Sequence, residues 1–145
     1  MIELSTPSRV VLYYNGAISA LTLFLQHPSD SVCSPSPLPV LSSILENTEQ
    51  SHNSIDLPAS TILAAISQAL NVPEDLLQAD EDFRAQVDTP DGIITVYLAQ
   101  FKALDPPHAL MTRKGCKFRT LTELRNRPPA EMELLRLAYV QIMES

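Results

Sequence analysis

Glycine is nearly missing from this sequence, with 3 in 145 residues, at positions 16, 92 and 115. Phosphate-cradling loops and dinucleotide fingerprints need clustered glycines so that the backbone can approach the ligand. No G-x-x-x-x-G-K-[ST], G-x-G-x-x-G or G-x-S-x-G pattern can be written here, which excludes those site types. Cysteine is equally scarce. Cys33 and Cys116 lie far apart and outside any C-x-x-C, so no disulfide framework is expected and reduced cytoplasmic thiols are the simplest reading. Basic residues number 10 against 17 acidic, a net charge of −7, so a broad electrostatic footprint for nucleic acid is not expected. The main apolar stretch, residues 10–25, is interrupted by Asn15-Gly16 and falls short of the roughly 20 residues that span a bilayer. Neither a membrane span nor a cleaved leader is expected.

What is present describes one domain, residues 1–145. Asn15-Gly16 between two apolar runs predicts a hairpin of strands Arg9–Tyr14 and Ala17–Leu25, because both turn residues tolerate positive φ. Residues 26–39 hold four prolines and four serines and predict a loop, and polar residues 46–56 predict another. Both are expected to be flexible. Pro58 followed by Ala59, Ile62, Ile66 and Leu70 at helical spacing predicts a helix that Asn71 stops. Pro73 and the acids after it predict a second short helix, Glu74–Gln78.

Phe83, Ala85 and Val87 alternate ahead of Pro90-Asp91-Gly92 and the run Ile93–Phe101, predicting a second hairpin. A helix opening near Asp105-Pro106-Pro107 should end at Gly115, with a short strand over Cys116–Arg119. Thr120 and Glu123 fit a capping box. Pro128-Pro129 opens a last helix running to about Met143, with Leu135, Ala138, Tyr139 and Ile142 on one stripe. The order predicts an α+β fold: an antiparallel sheet of four or five strands, built from the two hairpins, with helices on one face. A parallel α/β sheet is the alternative.

Three groups of residues could carry chemistry. Asp88 and Asp91 place two carboxylates on one turn, although turn chemistry alone explains them. Asp105 and His108 pair a carboxylate with an imidazole at a strand-to-helix junction, and Arg113, Lys114, Lys117 and Arg119 follow as an anion-attracting patch. Asp105 and His108 are therefore the candidate acid–base pair, with Asp88, Asp91, Arg113, Lys114 and Arg119 as candidate ligand contacts. His27, Cys33, His108 and Cys116 have the composition of a tetrahedral zinc site, but their spacings match no zinc signature, so no metal and no cofactor is expected. Cys116, beside Lys117, reads as a small buried strand residue sooner than as a nucleophile.

The stretch Ala65–Leu77 resembles the closing helices of repressor-type helix-turn-helix domains. The region that would enter a major groove lies upstream, where no basic residue occurs between Arg9 and Arg84, so it reads as a generic two-helix elbow without DNA binding. The final helix is apolar beyond one stripe, at Leu134, Leu135, Leu137, Tyr139, Val140, Ile142 and Met143, which marks deep packing or a shared surface. The expectation is thus a non-catalytic interaction or accessory protein that binds a protein partner or itself. The alternative is a domain or enzyme for a small anion, with its site between the 88–92 turn and the 105–119 segment.

Overall fold

A computed structural model of the chain describes residues 8–16, 21–34, 37–45, 59–80, 83–90, 92–102 and 107–144. The expected 46–56 loop, Asp91 and Asp105 lie outside them. β1 (Ser8–Asn15) and β7 (Gly92–Phe101) form the centre of an eight-stranded sheet and run parallel, with Val11 opposite Leu98 and Leu12 opposite Ala99. Every other pairing is antiparallel.

A strand has two edges, and both outer edges of the central pair are shared. On β1, β2 (Thr22–Gln26) takes residues 13–15, and β3 (Cys33–Ser34) takes 10–11. On β7, β6 (Ala85–Thr89) takes residues 92–96, and β5 (Leu77–Ala79) takes 99–101. The sheet ends at β4 (Ser43–Ile44) beyond β6 and at β8 (Lys117–Arg119) beyond β2.

Helices cover both faces. Val10, Leu12 and Tyr14 of β1 pack with Ile62, Ala65 and Ile66 of α1 (Ala59–Leu70) and with Met111 of α2 (His108–Thr112). The alternate residues Val11 and Tyr13 pack with Leu134, Leu135, Ala138 and Ile142 of α3 (Pro129–Glu144). A strand buried on both sides reads as an unbroken apolar run, and Val10–Tyr14 is one.

The expected four- or five-stranded antiparallel sheet with helices on one face is therefore overturned. The molecule is α+β, but its sheet is mixed, has eight strands and lies between helices. Distant segments decide this: β1 and β7 pair residues 87 positions apart, a separation that local turn chemistry does not report. The first antiparallel ribbon is also wider than a two-residue turn. Asn15 pairs with Thr22, and the Gly16 amide donates to the Leu21 carbonyl at 3.0 Å. The second ribbon closes tightly, with Thr89 opposite Gly92 and Gly92 at φ +120°.

Two further corrections concern short segments. Glu74–Leu76 forms a single 3-10 turn, and Leu77 and Gln78, expected to be helical, join β5 because Leu77 is buried against Phe101. Within the expected 26–39 loop, Ser31–Ser34 are fully buried and residues 33–34 form β3. The Asn71 stop is present in the left-handed region, at φ +55°. Thr120 and Glu123 make both bonds of a capping box, at 2.9 and 3.3 Å, around the 3-10 turn Thr122–Leu124.

Candidate functional site

The sheet register builds one side-chain cluster. β2 and β8 pair with Gln26 opposite Lys117, so continuing that antiparallel ladder sets His27 beside Cys116. The thiol Sγ and the His27 Nδ1 are 3.5 Å apart. After His27 the chain turns sharply: the His27 amide donates to the Ser31 carbonyl at 2.8 Å, and Asp30 adopts φ +73°. The turn returns the chain to β1 as β3, which brings Ser34 Oγ into a hydrogen bond with His27 Nε2. A neutral ring with its proton on Nε2 donates to Ser34 and leaves the Nδ1 lone pair facing the thiol.

His27, Pro28, Ser29 and Pro37 form one wall of a cleft of ≈ 370 Å³. The end of α1 at Ala69 and Leu70, with Lys114 and Cys116, forms the rest. Burial pushes the His27 imidazolium down, against an opposing pull from Glu131. Burial pushes the Cys116 thiol up, and the Lys114 ammonium partly offsets it. Both effects favour a neutral thiol–imidazole pair at rest.

Gly115 sets how closely the 27–30 turn approaches Cys116. It lies at φ +77°, and a Cβ there would come within 2.8 Å of Pro28 Cγ. Gly115→Ala should therefore cost about 1–3 kcal/mol by urea denaturation, from backbone strain and the Pro28 contact. Gly115→Asn, which tolerates the left-handed region better, relieves only the strain component. Equal stability of Gly115→Ala and wild type would refute this account of the turn.

A second knot anchors the same segment from the opposite helix. Glu131 in the first turn of α3 is only 3% exposed. Its carboxylate accepts from Ser31 Oγ at 3.0 Å, the Val32 amide at 2.8 Å and Arg127 Nε at 2.8 Å. Ser31 Oγ also accepts the Cys33 amide at 3.0 Å. Burial, with Glu131 nearby, pushes the Cys33 thiol up to about 12.

Those candidate residues that fall among the described ones do not gather at one place. Asp88 is exposed on β6, where it pairs with Ser43 and Ile93. Arg119 is on β8, bonded to Gln26 at 3.2 Å and 3.6 Å from Glu123. The sheet order places β7, β1 and β2 between these two strands, a separation of roughly 19 Å at the usual strand spacing. Arg113 is exposed at the end of α2 and bonds its own helix at Ala109. Of that set, Lys114 alone among the described residues lines the cleft. Asp91, Asp105 and the His108 side chain fall outside the described residues.

Of the four possible zinc ligands, His27 and Cys116 adjoin, whereas Cys33 packs on the other face of the sheet. Among the described residues, no three His, Cys, Asp or Glu side chains converge as a metal site would require. The sequence offered no sign of Ser34 or Glu131 as partners, since one looked like loop and the other like an ordinary helix-opening acid. Comparison with known protein families and with curated proteins finds no match for this chain.

Proposed function

We propose that the protein is an interaction or accessory domain that binds a protein partner or itself through the outer face of α3. One observation carries this reading. While Leu134, Leu135, Ala138 and Ile142 are buried, Tyr139, Val140 and Met143 on the same helix remain 37–49% exposed. The Val40-Leu41 turn, 96% and 77% exposed, leads into β4, which packs on α3. Adjacent large apolar groups left in water are a recurrent mark of a binding surface. Among the described residues no helix is long and apolar enough to cross a membrane. The proposal places the protein in the cytoplasm, where two unpaired thiols stay reduced.

Sedimentation equilibrium tests the self-association form. A dimer with Kd below about 1 mM is expected. Tyr139→Glu with Val140→Glu should abolish it while changing monomer stability by no more than about 0.5 kcal/mol per site. A monomer at every concentration would remove self-association as the function. A second reading, binding of a small anion, is favoured by Lys114 on the wall of the cleft; it replaces the pocket expected between the 88–92 turn and the 105–119 segment.

A further inference from the structure

Cys116, His27 and Ser34 form a chain of three polar groups at the edge of the cleft. Thiol Sγ meets Nδ1 at 3.5 Å, and the opposite ring nitrogen is held by Ser34 Oγ. This is the order nucleophile, base and orienting group, which defines an activated nucleophile by geometry. Lys114 lines the same cleft. Acyl transfer is poorly served here, because the amides around the sulfur are already spent. Those of Lys114 and Cys116 both donate to the Met111 carbonyl at 3.0 Å, and that of Gly115 donates to Thr112 at 2.9 Å. None of these three can receive an oxyanion. Addition to a carbon–carbon double bond conjugated with a carboxylate has no such need, since its charge develops on the carboxylate, where an ammonium suffices.

We propose that Cys116 is a reactive thiol that adds to small α,β-unsaturated carboxylates in this cleft, with His27 as its base, Ser34 as a positioning residue and Lys114 as the counter-charge. His27 Nδ1 takes the Sγ proton, and the sulfur lone pair forms the S–C bond at the β-carbon. The π electrons shift to the α-carbon, which takes the proton back from Nδ1. The product is a thioether; nothing leaves and nothing is oxidised. Cys33 is the internal control: both thiols are almost fully buried, at 1% and 3% exposed, but Cys116 borders the cleft whereas Cys33 lies on the other face of the sheet. The carboxylate preference rests on the anion-binding reading above, whereas the thiol chemistry does not. Both are independent of the α3 surface.

The test treats the full chain with monomethyl fumarate, an anion, and dimethyl fumarate, its neutral counterpart, and reads each cysteine by peptide mass. Cys116 should be modified and Cys33 should not. The charge acting on His27 is Glu131, which pairs with Arg127 on the α3 side, and Lys114 acts on the neighbouring Cys116; among the described residues α1 contributes only Ala69 and Leu70 to the cleft. With dimethyl fumarate, a thiol without a base slows about tenfold per pH unit below its pKa. The wild-type rate at Cys116 should stay level from pH 8 to pH 7 because neutral His27 supplies the base. His27→Gln should restore the tenfold slope. Ser34→Ala should lower the level rate, and Ser34→Thr should recover it. Lys114→Gln should cut the monomethyl-to-dimethyl rate ratio by about tenfold, the loss of one close counter-charge. Equal rates at the two cysteines, or a tenfold slope in the wild type, would overturn the reactive thiol whatever the ligand. An unchanged ratio in Lys114→Gln would overturn the carboxylate preference and leave the level profile as the separate measure of the thiol.

Discussion

Glu131→Ala should lower the unfolding free energy by about 3–5 kcal/mol, the usual effect of removing one partner from a buried ion pair. The side chain does more than pair with Arg127, 2.8 Å away. Ser31 Oγ and the Val32 amide lose their acceptor in the same step, inside a segment that water does not reach. Truncation therefore leaves a guanidinium, a hydroxyl and an amide to be rehydrated or reoriented. A domain of this kind has about 5–15 kcal/mol in total, so the variant should sit near the edge of folding at 37 °C. Glu131→Gln keeps an acceptor oxygen and should lose less. Urea midpoints measure the difference, and amide exchange at Val32 locates it. A loss under about 1 kcal/mol in Glu131→Ala, the scale of an exposed pair, would mean that the knot is solvated.

The next largest effect concerns the two faces of the sheet. Leu12→Ala and Leu98→Ala should each cost about 2–5 kcal/mol, from lost transfer energy and the cavity left behind. Leu12 packs on the α1 side and Leu98 on the α3 side, and both are almost fully buried. In a sheet covered on one face, one of the two would be a surface substitution worth no more than about 0.5 kcal/mol. Thermal and urea unfolding of the two variants thus separates a sandwiched sheet from a half-covered one. A near-neutral Leu98→Ala would sink the architecture described here.

What could be read in the chain beforehand was local. Helical spacing from Ala59 to Leu70 and the stop at Asn71 matched the structure because both depend on neighbours within a turn or two. So did the last helix, opened by Pro129, and the Thr120–Glu123 cap. Long-range pairing was illegible. The run Val10–Tyr14 carries no polar alternation to say which face is covered, because both are, and no turn signal links it to β7. The 26–39 segment failed for a different reason. Its prolines and serines have the composition of an open loop, yet its buried groups are satisfied by Glu131, almost exactly a hundred positions away along the chain. The His27–Cys116 contact likewise exists only once the β2–β8 register is known. Individually, each residue type was visible; the distance between them was not.

The shared edges of β1 and β7 also bear on how this molecule meets others. Its outermost strands have two residues in β4 and three in β8. Such stubs offer an incoming chain little backbone on which to zip, and short rims of this sort are one way natural sheets avoid polymerising. Recognition by strand addition is thereby discouraged, so a partner at the proposed α3 surface would have to be met by side chains instead of backbone pairing.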